Sequence, residues 1–176
     1  MITSVADPHT MTTFDVLTFL NGEWNVSRHI KDFQANIIGQ FIGNAIFTPV
    51  MPTTLSFHEA GEMTYGSFLG PCERTLKFHQ LNSTSVQVRF ADDRPFVEVD
   101  FSDTATPSTH LCGQDRYDIT LRALSGDVIE ETWRVHGPTK DYEAIARWTR
   151  LPANPQRERR SGRQLGPRQR ASHLGR

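Results

Sequence analysis

Cysteines, net charge and long apolar runs are all scarce in this chain, and each scarcity removes a class of protein. Two cysteines in 176 residues, Cys72 and Cys112, cannot staple a disulfide scaffold and have no partners at metal-binding spacing. The formal net charge is -1, so no broad field is available to hold nucleic acid or an acidic membrane surface. No run of about 18 apolar residues occurs, which excludes a transmembrane helix. The opening Met1-Ile2-Thr3-Ser4-Val5-Ala6-Asp7-Pro8 lacks a basic segment followed by an apolar one, so no secretory signal is expected. A cytoplasmic chain with both thiols reduced is the expectation. Its length suits one domain with its own core.

What the sequence does have is alternation. Apolar residues fall on every second position at Trp24, Val26 and Ile30; at Val86, Val88 and Phe90; and at Val97, Val99 and Phe101. The pattern returns at Tyr117, Ile119 and Leu121, and again at Ile129, Trp133 and Val135. Period two gives each strand one wet face and one buried face. About ten strands are predicted, near 23–31, 38–48, 53–60, 63–69, 73–81, 85–91, 96–102, 115–123, 128–136 and 142–150. Turn chemistry separates them at Pro49 and Pro52, Gly61, Gly70-Pro71, Asn82-Ser83, Asp92-Asp93-Arg94-Pro95, Ser125-Gly126-Asp127 and Gly137-Pro138. The 103–114 stretch, rich in Ser, Thr and Pro, reads as a loop. No gap has the form of a helical crossover, so the pairing is antiparallel. The expected fold is all-β: a closed antiparallel up-and-down barrel. Small barrels of this kind either fill their interior or hold one small ligand there.

The chain divides into three parts. Residues 1–13 read as a disordered leader and 14–152 as the barrel domain, in which Phe14 to Leu20 forms a short helical turn that plugs one end. Residues 153–176 carry seven arginines, with Leu165 and Leu174 as their only large apolar residues. Such a basic tail buries too little surface to offset its ordering entropy and reads as disordered. Without an aromatic residue for base stacking it gives little support to nucleic-acid binding.

Gly22-Glu23-Trp24 at the start of the first strand resembles the Gly-x-Trp signature of lipocalins and related calycin barrels. The resemblance implies that a basic residue of the last strand, Arg150 or Arg147, packs over Trp24. A wider set of segments carries a second likeness. These are Asn21-Gly22-Glu23-Trp24-Asn25-Val26-Ser27-Arg28-His29-Ile30, Asp93-Arg94-Pro95-Phe96, His110-Leu111-Cys112-Gly113-Gln114-Asp115-Arg116-Tyr117 and Trp133-Arg134-Val135-His136-Gly137-Pro138-Thr139-Lys140-Asp141-Tyr142. Together they resemble an uncharacterised family of short lipocalin-like proteins, a domain of unknown function, over roughly 20–150. The chain departs from that pattern at Asp93, where the family has glycine, at Val97, where it has histidine, and at Thr139, where it has arginine.

Charges on apolar faces mark the candidate site. Arg28 shares its face with Trp24, Val26 and Ile30, and Glu131 lies between Ile129 and Trp133. A charge on a buried face must be paired, hydrated or used, because desolvating it alone costs several kcal/mol. Arg28 and Glu131 are therefore expected to face the lumen and meet there, directly or across a ligand. Glu59, after Leu55 and Phe57, and Arg74, before Leu76 and Phe78, are expected near the rims, where charged side chains reach water. Gly43 and Ala45 between Phe41 and Phe47 leave side-chain filling thin, which suits an anionic apolar ligand beside a guanidinium.

The remaining candidates are Trp133, Tyr117, His110 and Lys140. Lys140, in the hairpin before the last strand, is either a solvated turn residue or a clamp at the cavity mouth. His110, Cys112 and Asp115 match no zinc spacing. A haem held by His110 or His136, as related small barrels hold one, and a Cys112 nucleophile beside His110 are further readings, against the ordinary structural role of an isolated Cys–His pair. No metal or cofactor is expected. The preferred function is binding of a small apolar anion inside the barrel. The alternatives are a barrel enzyme (an isomerase, cyclase or hydratase) with Glu131 as its acid–base group, and a filled barrel that serves protein interaction.

Overall fold

The computed structural model describes residues 14–102 and 106–152, so the leader and the basic tail lie outside the described residues. One short helix, α1 (Val16–Leu20), precedes ten strands. They are β1 (Gly22–Asp32), β2 (Ile37–Met51), β3 (Thr54–Tyr65), β4 (Phe68–Gln80), β5 (Ser85–Phe90), β6 (Pro95–Asp100), β7 (Ser108–Cys112), β8 (Asp115–Ser125), β9 (Val128–His136) and β10 (Asp141–Arg150). Their order in the sheet is β6-β5-β4-β3-β2-β1-β10-β9-β8-β7, each neighbour antiparallel. The sheet curls into a nearly closed barrel. Its two ends, β6 and β7, share no hydrogen-bond ladder among the described residues.

The count of ten matches the expectation, but two of the elements differ. The chain from 53 to 81 makes two long strands rather than three, because Gly61 is not a turn. Gly61 pairs with Gly43 across the β2–β3 ladder. A Cβ on Gly61 would lie 2.3 Å from the Ile42 carbonyl oxygen and 2.8 Å from Cζ of Phe41. The two glycines thus permit a close backbone approach, with the Phe41 ring laid across them. The thin filling expected beside Gly43 is therefore taken up by Phe41. Pro71 is tolerated inside β4 because β4 pairs with β5 only over Leu76–Gln80, which leaves the Pro71 stretch an edge on that side.

The second difference is β7, within the expected 103–114 loop. Its inward positions carry Ser108 and His110, while Leu111 is 68% exposed. Period-two apolarity is absent there, and pairing with β8 imposes the strand. At the β5–β6 turn Asp93 has a φ of 67°. Aspartate occupies a left-handed position where the resembled family has glycine, a conformation that Asp tolerates better than most residues.

The helix closes one end. Asp15 caps it by accepting from the Thr18 amide at 2.8 Å, and Val16, Leu17 and Leu20 are buried. Trp24 donates from its indole nitrogen to the Leu20 carbonyl at 2.9 Å. Arg150, opposite Trp24 in register, lies 4.1 Å from the centre of the indole and donates to the Asn21 and Gly126 carbonyls. Arg147, the other candidate, is exposed. Above this plug Phe47, Phe57, Phe78 and Trp148 fill the barrel, with Phe57 stacked on Trp148 at 5.6 Å. All four of these side chains are buried.

Gly61→Ala is expected to cost about 1–3 kcal/mol by overpacking against backbone. Gly126→Ala, where an added Cβ meets nothing within 4 Å, is expected to be neutral or slightly stabilising. Urea unfolding of the two variants checks both signs.

Candidate functional site: a buried charge cluster beside an aromatic cleft

Strand register brings four charged side chains together inside the barrel. Arg28 on β1 and Glu131 on β9 both pair with Ala146 of β10, so they flank a small residue that leaves room for them. Glu59 on β3 pairs with Arg74 on β4 and, on its other side, with Ala45. Arg28 Nη2 donates to Glu59 Oε1 at 2.9 Å and to Glu131 Oε2 at 2.7 Å. Arg74 donates from Nε to Glu59 Oε2 at 2.7 Å and from Nη2 to Glu131 Oε1 at 3.1 Å. The Trp133 indole adds a bond to Glu131 Oε1 at 2.8 Å.

Two positive and two negative charges thus neutralise one another. Burial by itself pushes the Glu131 carboxyl up, but the Arg74 and Arg28 guanidiniums and the bonds from Arg28 and Trp133 outweigh it and hold the group at about 2. Burial likewise opposes the charge on Arg28, and Glu131 and Glu59 more than restore it. Aromatic faces line the cluster: Arg28 lies 5.2 Å from the Phe41 ring centre, and Arg74 lies 5.4 Å from Phe57 and 5.5 Å from Trp133.

Arg28 and Glu131 meet directly, with no space left between them. Glu59 and Arg74 are not at the rims. The Glu59 side chain is 3% exposed and that of Arg74 27%, because both lie mid-strand once β3 and β4 run their full length. Arg74 is therefore the accessible member. Its Nη1 has no acceptor among the described residues, whereas Arg28 is enclosed by both carboxylates.

Beside Arg74 opens a cleft of about 310 Å³, walled by Phe90, Phe96, His110, Tyr117 and Trp133. Phe96 is central to it: 4.9 Å from Phe90, 4.8 Å from His110 and 5.7 Å from Trp133, ring centre to ring centre. Phe96 belongs to β6 and His110 to β7, so these rings span the seam that no ladder closes. Lys140 is neither free nor over the mouth as a loose clamp. It donates to the Tyr117 hydroxyl at 2.8 Å and pairs with Asp115 at 2.7 Å. The sequence-predicted residues thus form one chain of contacts, from Arg28 and Glu131 through Trp133 to Tyr117, His110 and Lys140. Phe90 was legible as an inward apolar residue but carried no mark of a site; Phe96 was out of phase with the inward Val97, Val99 and Phe101, and Asp115 was weighed only as a metal ligand.

The fold and its charged interior define a lipocalin-like β-barrel. The chain belongs to DUF6314, a family of unknown function, whose profile matches residues 20–150. No curated protein matches the sequence. Among solved structures, the S-type phycobiliprotein lyase CPES from Guillardia theta is 8% identical at a TM-score of 0.58, over 79% of this chain and 92% of that one. The protein Rv2717c from M. tuberculosis is 12% identical at a TM-score of 0.46, over 78% and 96%. A de novo designed fluorescence-activating β-barrel is 14% identical at 0.45, over 78% and 98%. At such identities the likeness concerns the fold, and it is the lyase that carries it.

Arg28→Met is expected to destabilise by roughly 3–5 kcal/mol, because it strands a buried carboxylate. Adding Glu131→Leu should recover much of the loss, since Arg74 and Glu59 remain as a neutral pair; a double-mutant cycle in urea measures this.

The Glu131 carboxyl sits below its ordinary value of 4.5, at about 2, so its contribution is complete above pH 4.5 and lost as pH falls towards 2. The stability gap between the parent protein and Glu131→Gln should therefore narrow across that window and stay flat above it.

Proposed function

We propose that the protein binds a small, mostly aromatic molecule carrying an anionic or hydrogen-bond-accepting group in the cleft beside Arg74. The observation that carries this reading is an unfilled aromatic cleft lined by Arg74, whose Nη1 has no acceptor among the described residues. A volume of about 310 Å³ lies at the small end of ligand pockets, which are mostly apolar with a few placed polar groups. The cleft also lies at the β6–β7 seam, where entry breaks no ladder hydrogen bond. Arg74 takes the role that sequence alone suggested for Arg28, because the Arg74 side chain is the more exposed of the two and lines the cleft.

The enzyme reading rests on Glu131, and its state argues against that role. A carboxyl held at about 2 and bonded by Arg28, Arg74 and Trp133 is a poor proton donor and a weak base near neutral pH. The filled-barrel reading suits the half beside the helix but not the half beside the seam.

Titration with naphthoate, a two-ring aromatic carboxylate, tests the proposal through tryptophan fluorescence. Trp24 and Trp148 are fully buried, so quenching should come from Trp133. His110→Trp, which fills the cleft, should abolish binding without unfolding the barrel. Binding of naphthoate to His110→Trp as tightly as to the parent protein would place the ligand elsewhere. Native mass spectrometry of the purified protein then shows whether a molecule of this class is retained.

A further inference from the structure

Lysine ammonium groups donate and never accept. In the Lys140–Tyr117 contact the phenol oxygen is therefore the acceptor, at 2.8 Å, and the phenol keeps its own proton. Among the described residues that O–H has no acceptor. Asp115 bonds the same ammonium at 2.7 Å, which fixes Lys140 and balances its charge. The Lys140 contact also polarises the phenol and makes it a stronger donor. Tyr117 lines the cleft that Arg74 lines.

The cleft is thus lined by two residues that each keep an unspent donor, Tyr117 on β8 at its hydroxyl and Arg74 on β4 at Nη1. Two of the other polar groups are committed, while the His110 ring meets only Phe90, Phe96 and Tyr117 among the described residues. The Trp133 indole is given to Glu131, and the Thr75 hydroxyl is engaged by His58 at 3.3 Å. The glutamates beside Arg74 are both saturated by guanidiniums.

Resting on the binding function proposed above, we infer that Tyr117 is a second polar anchor, so that the cleft selects aromatic molecules with two acceptor groups, one taken by Arg74 and one by Tyr117. Lys140 is a positioning residue: it occupies the phenol lone pair and leaves the proton for the ligand. A molecule with a single acceptor leaves one buried donor unpaired, which is where the discrimination arises. A molecule that itself presents donors meets Arg74 and the Lys140-engaged phenol and gains nothing from either.

The test compares naphthoate with naphthalene dicarboxylate, its two carboxylates at opposite ends of the rings. The parent protein should bind the dicarboxylate about tenfold or more tighter, the scale of one charge-assisted hydrogen bond. Tyr117→Phe should erase that preference, weakening dicarboxylate binding about tenfold more than naphthoate binding. Lys140→Met should reduce the preference in the same direction, and Lys140→Arg should keep it. Circular dichroism of each variant establishes that the barrel is intact, and Lys140→Met carries the test alone if Tyr117→Phe does not fold. Equal affinity for both probes in the parent protein, or an equal loss of both in Tyr117→Phe, overturns the second anchor while leaving the cleft as a binding site. Failure of the parent protein to bind either probe overturns the binding function itself.

Discussion

Two guanidiniums held between two carboxylates set the character of this barrel's interior. Taking four charges out of water costs several kcal/mol for each ion, and only close geometry with every oxygen bonded returns that cost. The oxygens of Glu59 and Glu131 receive bonds from both arginines, and Trp133 adds one more. That arrangement requires four strands to hold fixed register over Ala45 and Ala146. A slip of one residue on any of them would send its charge to the outer face and strand the other three. The cluster adds little net stability, yet it penalises every alternative register of β1, β3, β4 and β9. Specificity of pairing is its structural contribution.

The same cluster divides the barrel into two halves. On the helix side Phe47, Phe57, Phe78 and Trp148 pack at van der Waals contact beneath a plug closed by Arg150 over Trp24. On the seam side the rings of Phe90, Phe96, His110, Tyr117 and Trp133 line walls without filling the space between them. Arg74 lies on the boundary, its guanidinium between Phe57 and Trp133. Its charge is balanced within the cluster while part of its donor edge stays unspent. A cation in that state can accept an incoming anion without paying the full desolvation of a free arginine.

Most of the fold was legible because a half-buried strand must alternate, and Trp24-Val26-Arg28-Ile30 and Ile129-Glu131-Trp133-Val135 do so except at their one charged member. Arg28 and Glu131 were legible for the same reason, as charges on otherwise apolar faces. Glu59 and Arg74 were misplaced through one residue. Gly61 signals either a turn or a close backbone approach, and composition does not separate the two. Read as a turn, it ends β3 near Ala60 and puts Glu59 at a rim; paired with Gly43, it lets β3 run on to Tyr65 and makes Glu59 central. Arg74 follows, since β4 then starts at Phe68 rather than 73. β7 was hidden for a different reason. Its inward residues are polar and its one large apolar residue, Leu111, faces out, so only the partner strand defines it.

The absence of a β6–β7 ladder among the described residues ties these features together. Closing a sheet fully removes both edges, and a small barrel gains from doing so. Here the ends meet instead through ring contacts, Phe96 against His110 at 4.8 Å and against Trp133 at 5.7 Å. Ring contacts between side chains are individually weaker and less directional than a run of backbone hydrogen bonds. The unfilled cleft, the accessible edge of Arg74 and the Lys140-engaged phenol of Tyr117 all lie along this seam.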